Sequence, residues 1–294
     1  MTAITLANEF LRVVVDPEKG ASVVAFSALK AGAWLSLLPD SNPGFLMIPY
    51  SNRIENGRFS FEGSQYQLAP GEDHAIHGDV HLRSWTPNTI SPSHISCQFS
   101  AAAYPDINWP WPFEARVDYQ LRENVFASRL VLWNRGDTAM PAGMGWHPYF
   151  NRVLGQANEV VRLCVKVKAA YPDANGNRIP SGPAGKLTPE QDFSTEKPLA
   201  PDNFLDTCFQ GYDGHGYIVW PESGIRVSYQ CTPECTHLVI YNPLHQPYFA
   251  VEPVTNANNG VNLFSRGETH SGIVSLPPGK SFEAGFEQRV DILS

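Results

Sequence analysis

An all-β architecture follows from three features of the chain. Apolar side chains alternate with polar ones at period two, turn residues cut those runs into hairpins, and no segment of helical length carries a 3.6-residue apolar stripe. Proline points the same way. At 25 of 294 residues it is well above the roughly 5% of an average chain, and each proline fixes φ and removes a backbone donor, which suits turns and short strands.

The elements read in order along the chain. In R-F-S-F-E-G-S-Q-Y-Q-L, Phe59, Phe61, Tyr66 and Leu68 fall on two short runs joined at Glu62-Gly63, which predicts a hairpin. F-E-A-R-V-D-Y-Q-L alternates Phe113, Ala115, Val117, Tyr119 and Leu121, turns at Glu123-Asn124 and continues as F-A-S-R-L-V-L-W. A third hairpin joins Y-I-V-W to I-R-V-S-Y across Pro221 to Gly224, and K-S-F-E-A-G-F-E-Q-R-V-D-I-L closes the pattern as one strand or two. The clearest helix start is T-P-E-Q: Thr188 as cap, Pro189 at the first helical position and Gln191 completing a capping box predict a short helix. Pro172 to Asn203 is rich in Pro, Gly, Asn and Ser. Hairpin patterning of the same character flanks it, so it reads as a long excursion from one domain spanning 1–294, and loops of that length often form rims or lids.

Composition narrows the function. A formal charge of -8 without a Lys/Arg cluster argues against nucleic acid as partner. No apolar run approaches the roughly 18 residues of a membrane span, and M-T-A-I-T-L-A-N-E-F-L-R lacks a basic leader with an apolar core. The expectation is a soluble cytoplasmic protein, monomer or homodimer, that acts on a small molecule. Five scattered cysteines, Cys97, Cys164, Cys208, Cys231 and Cys235, suit reduced thiols better than a disulfide framework.

Four segments combine reactive side chains with backbone-constraining neighbours: N-R-I-E-N-G, H-A-I-H-G-D, G-W-H-P-Y-F-N and V-E-P-V-T-N-A. Arg53 offers a fork of donors for hydroxyls or a carboxylate, or simply a structural ion pair. Glu252 lies between Val251 and Pro253, where alternation turns it inward; a buried carboxylate is costly unless paired or used, and burial lifts its pKa toward that of a general base. His147 sits among Trp146, Pro148, Tyr149 and Phe150, either as a satisfied core histidine or as a side chain placed for its titration near neutral pH. His74, His77 and His81 form H-x2-H-x3-H, a spacing that matches no zinc or iron signature, so no metal is assigned. Asp206, in F-L-D-T-C-F, sits where the loop returns to strand-like sequence and reads as a turn cap.

Taken together and in order, N-R-I-x-N-G-R-F, I-H-G with Trp85 shortly after, W-H-P-Y-F-N, L-D-T-C-F-Q-G-Y-D-G and E-P-V-T-N-A-N-N-G-V-N resemble the aldose 1-epimerase (galactose mutarotase) family over nearly the whole chain. The resemblance implies a large antiparallel β-supersandwich with few short helices, whose concave face binds a monosaccharide and which needs no cofactor. It implies Glu252 as catalytic base, His147 as acid, His77 as an assistant at the ring oxygen, and Arg53 and Asp206 as holders of sugar hydroxyls. Trp146 and Tyr149 are expected to offer apolar faces to a pyranose.

Departures from the family pattern concern specificity. Pro148 follows His147 where Ser or Thr is usual, Asp79 follows His77-Gly78 where a second Gly is common, and V-T-N-A replaces the usual Pro-Asp-Ala ending after the Glu. These point away from galactose. Interconverting anomers requires a base at the C1 hydroxyl and an acid at the ring oxygen; the expectation is an ionised Glu252 and a protonated His147 facing each other across the sugar. An enzyme for a phosphorylated or otherwise acidic sugar, with Arg152 and His81 as rim cations, and a non-catalytic carbohydrate-binding protein remain alternatives. A glycoside hydrolase using Asp206 and Glu252 is another.

Overall fold

The computed structural model describes residues 3–69, 74–155 and 158–293, and among these it is built from strands in several antiparallel sheets. The two largest form the framework. A nine-stranded sheet runs, in spatial order, Thr86–Ser91, His94–Ser100, Phe113–Arg122, Val125–Asn134, Ser281–Ile292, Ile225–Cys231, His215–Trp220, Arg162–Val165 and Lys197–Pro198. A seven-stranded sheet runs Ala169–Ala170, Leu205–Gln210, His237–Asn242, Tyr248–Val254, Gly145–His147 and Phe45–Met47, with Tyr149–Asn151 also paired to Tyr248–Val254.

All three predicted hairpins form. Glu62 and Gly63 both take positive φ (47° and 79°), the two-residue turn whose twist matches its strands, and Arg58 to Phe61 pair with Ser64 to Gln67. Phe113–Arg122 pairs with Val125–Asn134 across ten residues, and the closing segment is one twelve-residue strand, Ser281–Ile292.

The predicted helix at Thr188 does not form. Thr188 N–H does donate to Gln191 Oε1 (3.1 Å) and Thr188 O accepts the N–H groups of Gln191 and Asp192, so the capping contact exists, but the segment stops at one turn. Helix nucleation needs more residues to recover its entropy, and no apolar stripe follows to anchor them. The α-helix that does form, Gly260–Ser265, packs Val261 and Leu263 inward.

Aromatic rings fill the space between the two sheets. Trp220 of the nine-stranded sheet meets Phe150 (6.1 Å between centroids) and Phe249 (6.3 Å) of the other, Phe126 meets Trp146 (6.2 Å), and Tyr229 Oη donates to Val251 O (3.3 Å). Strand Tyr248–Val254 is buried on both faces. Phe249 and Val251 turn toward this core, while Ala250, Glu252 and Val254 turn to the far side of the sheet. A second apolar cluster lies there: Met47, Cys208, Val239, Val254, Ala257 and Leu263. All five cysteines are free.

Candidate active site

Strand register brings the chemistry together. Gly145 pairs with Val254 and Tyr149 with Ala250, and the same register sets His147 opposite Glu252. The ladder breaks there because Pro148 has no N–H to give. Both side chains leave the same face of the sheet, and His147 Nε2 lies 3.2 Å from Glu252 Oε1, with both residues nearly inaccessible. One strand further, Val239 pairs with Glu252 and Asp206 with Tyr241, so alternation turns Asp206 to that face as well.

His77 arrives from another segment. Arg53 pairs with Ile76, His77 N–H donates to Asn52 O (2.8 Å), and His77 and Gly78 both hold positive φ, 63° and 68°. Only glycine fits at 78: a Cβ there would come 1.9 Å from Ile48 O. This bend sets the His77 ring edge-on to His147, 5.3 Å between centroids, with Phe45 stacked on His147 at 4.5 Å and in contact with His77 and His81.

Electrostatics follow from the apolar surroundings. Burial raises the Glu252 pKa well above the ordinary carboxylate range, and the Asp206 charge adds to this, while Arg53 opposes it. Burial lowers His147 to about 3, helped by His81 and Arg53. His77 is lowered well below its ordinary value, by burial first and the neighbouring imidazoles next. Both shifts favour the neutral forms, a carboxylic acid beside an unprotonated imidazole. This corrects the expectation of an imidazolium facing a carboxylate across the sugar: the two are cross-strand neighbours in hydrogen-bond contact, and nothing fits between them. Glu252 Oε2 is left buried without a donor among the described residues.

Arg53 and Asp206, whose charges act on Glu252, line a cleft of about 600 Å³ with His74, Ile76, Asn177 and Arg178; Glu252 and His147 are not among its lining residues. Arg53 Nη1 donates to Asn52 Oδ1 (3.1 Å) and Nη2 stands 4.0 Å from Asp206 Oδ2. Arg178, from the 172–203 excursion, donates Nε to Asp206 Oδ2 (2.8 Å). A larger groove, about 900 Å³, lies on the nine-stranded sheet, but its charges are matched, across strands from Arg129 to Glu283 and along one strand from Arg116 to Asp118 (3.0 Å), and no predicted site residue reaches it.

The structure thus gathers Glu252, His147, His77, Arg53, Asp206 and Tyr149, whose ring lies 4.5 Å from that of His147. Trp146 is not among them. It points into the inter-sheet core with no exposed surface, because it is one residue out of phase with His147. Arg152 is no rim cation either: it is buried and donates to the carbonyls of Gln246 (3.0 Å) and Leu199 (2.9 Å) and to Asn242 Oδ1. His81 packs on Phe45 and burial lowers its pKa, which leaves it a poor cation. Among the described residues no group of three or more His, Cys, Asp or Glu is arranged to hold a metal ion, and no helix is long and apolar enough to cross a membrane.

Sequence reasoning missed Arg178 and the asparagines after Glu252. Asn256 Oδ1 accepts from Ser51 N–H (3.1 Å), Asn258 Nδ2 donates to Arg178 O (3.0 Å), and Asn259 N–H donates to Arg53 O (2.7 Å). The signal lay in T-N-A-N-N itself, four short polar residues in a segment that is otherwise buried.

The chain is similar to known proteins over nearly its whole length. The aldose 1-epimerase family model matches residues 2–289. Uncharacterized protein YphB of Escherichia coli K12 is 24% identical over the full length of both chains, and uncharacterized protein YihR of the same organism is 31% identical, covering 77% of this chain and 75% of its own. The crystal structure of a galactose mutarotase-like protein from Clostridium acetobutylicum superposes with a TM-score of 0.84 at 19% identity, over 98% of this chain and 95% of that one. By sequence match across nearly its whole length, the chain belongs to the aldose 1-epimerase family.

Proposed function

We propose that this protein is an aldose 1-epimerase that interconverts the α and β anomers of a monosaccharide by ring opening, with Glu252 as base and His147 as acid. The observation that carries this reading is the 3.2 Å contact between two buried titratable groups on one face of the sheet. The sugar's O1 and ring oxygen hang on the same carbon, so an adjacent acid and base serve both from one side. The shared proton first passes from the Glu252 carboxyl to His147 Nε2 across their 3.2 Å contact; the carboxylate then takes the O1 proton as C1–O1 becomes a carbonyl and the bond from C1 to the ring oxygen breaks. His147 Nε2 gives its proton to the ring oxygen. After rotation about C1–C2 the transfers reverse, and O1 closes on the other face. The opened state leaves the proton on Glu252 and His147 neutral, the distribution that the apolar surroundings favour. His77 lies beside His147 as an assistant at the ring oxygen, Arg53 and Asp206 hold hydroxyls, and Tyr149 offers a ring face.

A purely binding protein has no need of two desolvated titratable groups in contact, so their presence favours catalysis. Charge balance favours a neutral sugar. Arg53 and Arg178 at the cleft are offset by Asp206 and Asp173, and the cations expected for an acidic substrate are spent elsewhere. The test is anomer-resolved NMR exchange on a panel of neutral hexoses and their phosphates: exchange of a neutral hexose supports the proposal, exchange of phosphates alone reverses the choice of substrate, and binding without exchange defeats catalysis.

A further inference from the structure

The 172–203 excursion contains almost no regular structure, yet it places one side chain against a predicted sugar ligand. We propose that Arg178 is a positioning residue for the substrate, which fixes the Asp206 carboxylate so that its second oxygen is presented to a sugar hydroxyl. The inference rests on reading this cleft as the sugar site.

The geometry over-determines the Arg178 guanidinium. Nε donates to Asp206 Oδ2 (2.8 Å), Nη1 donates to Asp173 Oδ2 (3.0 Å) and to Gly176 O (2.9 Å), and the group lies 5.2 Å over the Phe204 ring. The backbone is fixed as firmly. Arg178 holds φ at +67°, a region that side chains other than glycine seldom occupy; its N–H donates to Asp173 Oδ2 (3.1 Å), and its carbonyl accepts from Asn258 Nδ2 (3.0 Å), six residues after Glu252. Both arginines at the cleft meet Asp206 through Oδ2, and Oδ1 makes no hydrogen bond to a described residue. A carboxylate held by one oxygen in this way keeps the other oriented, so a hydroxyl that binds to it loses less freedom on binding. The excursion therefore acts as the fixed wall of the cleft, and its contribution enters through Asp206.

The experiment compares Arg178→Gln, Arg178→Lys and Asp173→Asn with wild type, on the sugar that exchanges fastest, by NMR exchange and by calorimetric titration. Arg178→Gln should raise KM and Kd about ten- to a hundred-fold, the weight of one charge-assisted hydrogen bond, with kcat within about threefold. Arg178→Lys keeps the charge without the fork and should recover little of this. Asp173→Asn, which loosens the arginine but leaves it beside Asp206, should give a smaller rise in the same direction. Unchanged KM and Kd in a folded Arg178→Gln protein overturn the inference, and so does a loss confined to kcat. Wild-type protein that binds sugar without exchanging anomers defeats the proposed reaction and leaves the Kd comparison intact as the test. If it neither binds nor exchanges any sugar, both readings fall.

Discussion

His147 stands directly across the strand pair from Glu252, with Nε2 and Oε1 3.2 Å apart and Pro148 interrupting the ladder between them and the next pair. This register makes the two groups one titrating unit. Removal of either should leave the other without its proton partner. Glu252→Gln and His147→Ala are each expected to lower kcat by about 10²–10⁴-fold, the usual weight of a positioned acid or base, with the β-sheet circular dichroism unchanged. Anomer exchange followed by polarimetry checks this, and near wild-type rates in either variant would remove the pair from the reaction.

The pair also dictates a pH profile. Its working form carries one proton. That form appears as pH rises through the depressed His147 value of about 3, and it is lost as pH climbs through the raised value of Glu252. The expected kcat/KM curve is therefore flat across the range from pH 5 to 6.5 where a free imidazole would titrate, about 6.5 being its ordinary value. An acidic limb centred near that ordinary value would contradict the shared proton.

Gly78 supports His77 through backbone alone. Gly78→Ala places a Cβ 1.9 Å from Ile48 O at φ +68°, whereas Gly63→Ala, at φ +79° in the first hairpin, meets nothing within 4 Å. The first should cost about 3 kcal/mol or more and displace His77, and the second about 1–2 kcal/mol from the left-handed backbone alone. Urea midpoints for the two variants give the comparison. Equal losses would show that the close approach at Ile48 has no energetic weight.

Trp146 and Tyr149 separate packing from recognition. Trp146→Ala should cost about 3–5 kcal/mol as a core truncation, with KM little changed in the protein that remains folded. Tyr149→Ala should do the reverse, raising KM with a modest change in thermal midpoint, because its half-buried ring lies beside His147 on the site face. A KM effect confined to Trp146→Ala would reverse their roles.

The strands and their hairpins were legible in the sequence because period two is a local signal: Phe113 to Leu121 names its own inward face, and Val251-Glu252-Pro253 predicts a buried carboxylate, whereas the candidate site residues came from the resemblance of their motifs to a family. Periodicity says which residues share a face, and it misplaced Trp146 only because the face was not chosen; His147 and Trp146 are adjacent, so one of them had to leave the site. Distance was less accessible. That His147 and Glu252 touch depends on the register between strands a hundred residues apart, and that contact decides where their proton sits. Arg178 gave no local signal at all, since an arginine in a Gly- and Pro-rich stretch reads as surface until Asp206 and Asn258 are seen to hold it.

The asparagines that follow Glu252 reach Ser51, Arg53 and Arg178, so the segment bearing Glu252 is stitched to chain that was made some two hundred residues earlier and to the middle excursion. No fragment that ends before Asn259 contains these tethers. The cleft wall is thus a long-range construction, closed only where segments far apart in sequence meet, so damage to any one of the three segments reaches the other two.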